Sequence, residues 1–330
     1  MSRTAGTARA GKRATEAALA SLAALRANPG SPDARRELTR HLAGRSSFLA
    51  AKAAQIAGDL EIRELLPGLA DAFQRFLVNP AKSDPGCAAK TAIAKALAAM
   101  EYSGEELFLE GIRHFQPEPA YGGPVDTAAE LRGACAFGLV RMRHPGALVE
   151  IVNLLVDPEV AARAAAVKVI GYAGRPEGAL LLRLKVLQGD VAEVMSECFS
   201  ALLELQPEKS FSFVTGFLDA KDADTAEAAA LALGGSRRAE ALAPLKNRWE
   251  KCRSAEMRRT LLLAIAMIRQ EEALEFLFHL LATAKTEDAA DAVTALGLHR
   301  GDEKLRARLE AAVAQRADPA LAALARRELG

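Results

Sequence analysis

Hydrophobic positions in this chain recur at helical spacing, most clearly over residues 157–187. Asp157-Pro158-Glu159 reads as a helix start. Asp accepts hydrogen bonds from the free amides of a first turn, and Pro suits the first helical position because its missing N–H has no partner there. An apolar run follows through Ala161, Ala164, Ala165, Val167, Val169 and Ile170. The stretch from Gly171 to Pro176 breaks it, and a second amphipathic segment carries Ala179, Leu180, Leu181, Leu184, Val186 and Leu187. Two helical periods with a break between them predict one helix hairpin of roughly thirty residues.

The hairpin pattern repeats. Its anchor is a small or apolar residue followed four positions later by Gly or another apolar residue. It stands at Ala54 with Gly58, Ala94 with Ala98, Ala134 with Gly138, Val167 with Gly171, Ala201 with Leu205, Ala230 with Gly234, Ala264 with Ile268, and Val293 with Gly297. Successive anchors lie 29 to 40 residues apart, and self-similarity at that period marks a helical repeat array. Asp84, Asp157 and Ser254 each precede their anchor by ten residues, as matched helix caps would. Partner helices are expected over 63–78, 105–115, 148–156, 179–187, 211–218, 241–249, 274–281 and 305–313, with end segments at 14–25 and 319–329. The fold predicted is all-α: an α-solenoid of about nine antiparallel helix pairs in a right-handed superhelix. One array is expected over 14–330, after a flexible basic tail at 1–13 and interrupted by a long loop at 116–124. The wider spacing of the first units predicts extra turns or loops there.

Composition refines this picture. Half of the 330 residues are apolar yet 5% are aromatic, so Ala and Leu carry the burial, and small side chains favour closely packed helices. Ala53, Ala54, Ala164, Ala165, Ala229 and Ala230 are the expected points of close approach. A net charge of +1 exerts no overall pull on nucleic acid or anionic membrane. Cys87, Cys135, Cys198 and Cys252 lack paired spacing; Cys135 and Cys198 fall in apolar helices and fit buried thiols, which suggests a reducing, cytoplasmic setting. No run of about 18 apolar residues is present, so no membrane span is expected.

Hairpins such as Asp157-Pro158-Glu159-Val160-Ala161-Ala162-Arg163 through Gly171, then Pro176-Glu177-Gly178-Ala179, resemble bacterial HEAT repeats, including those named after phycobilisome lyases. The resemblance runs from about Val125 to Leu298 and is looser before that. It implies a fold, and a role in binding other proteins, rather than a particular activity.

Two candidate sites stand out. The break at 116–124 holds three prolines, two adjacent glycines and Tyr121, with His114 and Phe115 beside it; a loop of this length on rigid elements is a place for partner contacts. The ordinary alternative is an insertion whose Tyr121 packs over a neighbouring hairpin. The second candidate comes from helical geometry. Positions two before and one after each anchor turn away from the core, and in the first four units they carry Lys52, Lys95, Arg132 and Lys168. Asp291 and Glu287 occupy that side of the last unit, and Glu193 and Glu197 lie near it, so the face should be basic early and acidic later. A basic ladder could hold an acidic peptide or a phosphate backbone; its ordinary reading is a solvated helix face.

Catalytic chemistry finds little support. His41, His114, His144, His279 and His299 have no metal-ligand spacing, and no Gly-rich phosphate loop or Gly-x-Ser-x-Gly is present. No catalytic residue, metal site or cofactor is assigned. The reading is a non-catalytic protein–protein interaction scaffold that binds another protein or peptide through its concave face or the 116–124 loop, an acidic one where the basic ladder is the contact. A nucleic-acid-binding HEAT-like protein is the alternative, and a lyase or chaperone-type enzyme the third. The single Trp249 gives few stacking surfaces for single strands.

Overall fold

The computed structural model describes residues 16, 17, 19–22 and 32–330. The tail expected at 1–13 lies outside the described residues, as does part of 14–25, of which 16, 17 and 19–22 are helical. The chain forms two compact units, Met1–Ala173 and Gly174–Gly330.

In the first unit the helices are α1 (Pro32–Ala43), α2 (Ser47–Asp59), α3 (Leu66–Leu77), α4 (Ala88–Ala99), α5 (Glu105–Ile112), α6 (Ala129–Arg141), α7 (Ala147–Leu154) and α8 (Val160–Ala173). The second unit holds α9 (Pro176–Gln188), α10 (Ala192–Leu205), α11 (Pro207–Thr215), α12 (Ala223–Gly235), α13 (Leu242–Lys251), α14 (Ala255–Ile268), α15 (Glu271–Thr283), α16 (Thr286–Leu296), α17 (Glu303–Arg316) and α18 (Pro319–Leu329). The even-numbered helices of each unit pack side by side as a first row, α2–α4–α6–α8 and α10–α12–α14–α16–α18, and the odd-numbered helices form a sparser second row. This is the all-α solenoid arrangement of stacked hairpins. No helix among the described residues is long and apolar enough to cross a membrane.

First-row packing follows from small residues. All eight anchor residues are buried. A Cβ on Gly58 of α2 would sit 3.0 Å from Ala96 of α4, and one on Gly133 of α6 would sit 2.6 Å from the Ala165 Cβ of α8. A Cβ on Gly234 would overlap the Ala264 backbone of α14. Of the alanines expected at close approaches, Ala165 is half-buried and the others are buried.

The open side of each first-row helix follows steps of four, three and four residues. It runs 48-52-55-59 in α2, 88-92-95-99 in α4, 130-134-137-141 in α6 and 161-165-168-172 in α8. In α6 this line shows that Ala136, not Ala134, occupies the position that Ala54, Ala94 and Val167 hold in the other first-unit helices. Both are buried in a helix covered almost all round, so an alanine pattern cannot separate them.

Second-row helices are joined by a device the hydrophobic pattern does not show. Arg75 of α3 donates to the Leu42 and Gly44 carbonyls at the end of α1. Arg248 of α13 donates to Leu218 O after α11 at 2.8 Å. Arg316 of α17 donates to Ala282 O and Ala284 O after α15, both at 2.6 Å. In each case a late arginine satisfies the orphan carbonyls that end the preceding second-row helix.

The expected caps act as caps. Ser254 accepts from Met257 N at 3.3 Å, Asp157 from Glu159 N at 2.9 Å, and Asp84 from Ala89 N and Lys90 N at 2.9 and 3.0 Å. All four cysteines are buried free thiols; burial pushes Cys87 up to about 11 and Cys198 up to about 12.

Candidate functional site

The insertion at 116–124 is a tied-down ribbon rather than an open loop. Strands β1 (Pro117–Glu118) and β2 (Val125–Asp126) pair antiparallel, with Pro117 opposite Asp126 and Glu118 opposite Val125. Prolines and glycines forbid a helix here, but they leave the backbone groups needed for one short ladder. Tyr121 at the tip does not pack over a neighbouring hairpin; it is fully exposed.

Glu118 ties the ribbon to α4 and α6. Its Oε1 accepts from Gly86 N at 2.7 Å, Gln116 Nε2 at 2.6 Å and Thr127 Oγ1 at 2.9 Å. The Gln116 hydrogen bond, helped by the other two, lowers the Glu118 carboxyl below its usual range. Beneath it Lys90 and Asp84, both fully buried, pair at 2.9 Å, and Gln116 Nε2 reaches Asp84 O at 2.8 Å.

Arg132 overturns one sequence expectation. The ladder geometry put it on the open face; it is fully buried, because the α6 register is shifted by two residues. Its guanidinium spans Asp157 with two 2.8 Å hydrogen bonds, Asp126 at 2.6 Å and His114 O at 3.0 Å, and it lies 4.2 Å from the Phe115 ring centroid. A bidentate carboxylate plus a second one neutralise a charge that would otherwise be very costly to bury. Burial opposes ionisation of Asp126, yet hydrogen bonds from Gln116 N and Ala128 N, with Arg132, take its carboxyl below the usual range. Arg132 is therefore a brace for the ribbon, not a contact for a partner.

Beside the ribbon, across α2 and α4, lies a groove of about 670 Å³. Ala51, Ala88, Ala92, Ala96, Ala99 and Gly58 give it a low floor, while Lys52, Gln55, Asp59, Lys95, Thr127 and Glu130 stand around it. Two of the predicted lysines thus meet at one place. Lys52 donates to Gln55 at 3.3 Å, and Lys95 pairs with Glu130 at 3.1 Å with both side chains mostly exposed. Gly86 and Thr127, which line the groove, also hold Glu118, so the braced ribbon fixes one wall.

The remaining predicted residues are placed apart from this groove. Lys168 is exposed on α8, one turn from Tyr172. His114 and Phe115 line a separate, shallower cavity with Glu106, Leu109, Glu110 and Arg113. Burial lowers the His114 imidazole, with Lys90 adding and the Gln116 hydrogen bond opposing. The sequence argument missed Phe137 and Tyr172, whose rings meet with centroids 4.7 Å apart and planes tilted by 51° on the open line of α6 and α8. It also missed Arg141, which occupies the α6 open line instead of Arg132 and pairs with Glu101 at 2.9 Å. The four-three-four spacing of exposed positions, seen only once the helices are packed, places all three on one line.

Stacked hairpins, a tightly packed first row and open grooves across it define an α-helical repeat scaffold. Residues 211–297 match the family model described as HEAT repeats. No curated protein matches the sequence. Among the solved structures that align with it at low similarity are three of known description. Human deoxyhypusine hydroxylase in complex with glycerol shares 19% identity over 77% of this chain and 90% of that one, with a TM-score of 0.31. The complex of CpcE and CpcF of phycocyanin lyase from Nostoc sp. shares 17% over 85% and 94%, TM-score 0.38. An engineered protein shares 15% over 88% and 87%, TM-score 0.37.

Proposed function

We propose that this protein is a non-catalytic interaction scaffold that holds an acidic protein segment in the first-unit groove. The observation that carries the reading is the convergence of Lys52 and Lys95 on one small-residue groove with a fixed wall. The Lys95–Glu130 pair is no obstacle, because an exposed ion pair contributes only about 0–1 kcal/mol and an incoming carboxylate can replace Glu130. Neighbouring helices lie roughly 8–10 Å apart, and alternate side chains of an extended strand about 7 Å apart. An extended peptide with acidic residues two or three positions apart therefore reaches both lysines in turn. Tyr121, held out by the braced ribbon, supplies a further contact at the edge.

Binding of a fluorescent ten-residue glutamate-rich peptide to the full chain tests this. The double variant Lys52→Glu with Lys95→Glu should weaken binding at least tenfold while leaving the unfolding midpoint in place. Affinity that survives both reversals removes the groove as the site. A single-stranded oligonucleotide is the matched probe: tighter binding to it, falling steeply with salt, would favour a nucleic-acid partner instead.

A further inference from the structure

The first-row face of the second unit carries the opposite charge from the groove just described. Its open lines run 193-197-200-204 in α10, 224-228-231-235 in α12, 256-260-263-267 in α14 and 287-291-294-298 in α16 with the turn that follows it. The first position of every line is acidic: Glu193, Asp224, Glu256 and Glu287, 31 or 32 residues apart. Acidic residues in a first turn are favoured by the helix dipole whatever else they do. That does not account for Glu197, Glu227 and Asp291, which stand on the same side about one turn further along. Contacts between helices join the row from α12 to α16: Glu227 of α12 accepts from Thr260 of α14 at 3.2 Å, and Arg259 of α14 lies near enough to Asp291 of α16 to affect its ionisation. Arg259 interrupts the row without neutralising it. Among the described residues, Asp224, Glu256 and Glu287 have no ion-pair partner.

A second row runs parallel to the first. The third and fourth positions carry Leu231, Leu263, Met267 and Leu298, the last 44% exposed. Met267 lies against Gly235 of the neighbouring helix, whose added Cβ would stand 3.5 Å from the methionine methyl. So an acidic edge and an apolar edge cross α12, α14 and α16 side by side, each available from the same side.

We propose that this face docks a basic amphipathic helix of a protein partner. The helix lies across α12, α14 and α16, with Lys and Arg over the acidic row and its apolar side over Leu231, Leu263, Met267 and Leu298. The charge fixes the sign of the partner, and the parallel apolar row requires that its positive and apolar residues be segregated. Spacing sets the period. Helices packed roughly 8–10 Å apart are crossed every five to seven residues or so by a helix that rises 1.5 Å per residue. The wide end of that spacing is close to two turns, where each repeat meets the same side of a heptad-patterned helix. Burial pushes the Asp291 carboxyl up, with Asp288 and Glu287 adding and Arg259 opposing, a setting that an arriving cation would relieve.

The test uses the full chain and a labelled 21-residue peptide of Lys and Leu in a heptad pattern, beside a scrambled peptide of the same composition. The patterned peptide should bind at least tenfold more tightly than the scrambled one. Glu256→Lys with Glu287→Lys should cost at least tenfold in its affinity, and so should Leu298→Asp, whose exposed position leaves the fold intact if the charge reversals disturb it. The same variants should leave binding of the glutamate-rich peptide in the first unit unchanged, so the two readings fail separately. Equal binding of the scrambled peptide, or affinity that survives both sets of variants, would overturn the proposal. It would equally be overturned by a dimer of the chain that the charge reversals dissolve, for then the occupant is a second copy.

Discussion

In the first unit α6 and α8 are joined through buried charge, Arg132 with Asp126 and Asp157, and a buried Lys90–Asp84 pair closes the start of α4. In the second unit α12, α14 and α16 meet chiefly through buried Ala, Leu and Ile, and their ends are capped by Asp222 and Ser254. The difference tracks regularity. The second unit contains the stretch that matches the HEAT-repeat family, and its hairpins follow one another without insertion. The first unit must absorb the ribbon at 117–126, which brings backbone polar groups and an arginine into the stack. Buried ions hold this irregular joint in one geometry, whereas in the regular repeats close-packed small residues dominate, beside the buried Lys185–Asp190 pair and the part-buried Arg258–Asp288 pair. The open faces differ as well: lysine on α2, α4 and α8, carboxylates on α10, α12, α14 and α16.

The comparison can be broken most sharply at Arg132. Arg132→Ala leaves Asp157 and Asp126 buried without their cation and should cost about 3–5 kcal/mol. Chemical denaturation would show a large drop in midpoint, and an unchanged curve would mean that the ionic joint contributes nothing. In the second unit Gly234→Leu should destabilise by roughly 1–3 kcal/mol or more, because the new side chain must push α12 from the Ala264 backbone. Gly235→Ala, next to it, has only ordinary contacts and should differ little from wild type in the same thermal melt. Arg316→Ala removes hydrogen bonds to carbonyls after α15 and should cost about 1–3 kcal/mol, with hydrogen exchange quickening first around residues 281–284.

A smaller effect follows from pH. His299 is buried, its Nε2–H donates to Ala266 O at 3.0 Å, and burial lowers its imidazole below the usual value. The unfolded chain therefore binds its proton first as pH falls. Stability from the neutral ring is present above about pH 6.5 and is lost as pH drops through the folded value. The melting temperature should decline between pH 7 and 5, and His299→Gln should flatten part of that decline. Least of all, Tyr121→Ser should change stability by less than about 0.5 kcal/mol, as an exposed residue does.

The hairpins themselves were legible because Ala, Leu and Val at helical spacing must be covered, and the end helix at 319–329 coincides with α18. The caps at Asp84, Asp157 and Ser254 were legible for the same local reason. Register around each helix was not. In α6 the anchor was set at Ala134 when Ala136 is equivalent, a two-residue error that turned Arg132 outward. An Ala-rich helix buried on nearly every side gives no polar face from which to count. Lys52 and Lys95 were placed correctly on the open side because exposed polar residues alternate with alanine in α2 and α4. The ribbon pairing depended on Glu118, Gln116 and Thr127 meeting Gly86, a contact spanning about thirty residues that no local pattern encodes. The late arginines of α3, α13 and α17 escaped notice because each acts on the preceding hairpin.

Amine acylation of the full chain, read residue by residue by mass spectrometry with and without the glutamate-rich peptide, tests the account most directly. Lys52, Lys95 and Lys168 should label readily in the free protein, while Lys90 and Lys185, held against Asp84 and Asp190, stay unlabelled until the chain unfolds. Adding the peptide should protect Lys52 and Lys95. Rapid labelling of Lys90 would contradict the packing of the first unit, and full labelling of Lys52 and Lys95 under saturating peptide would contradict the groove as its binding surface.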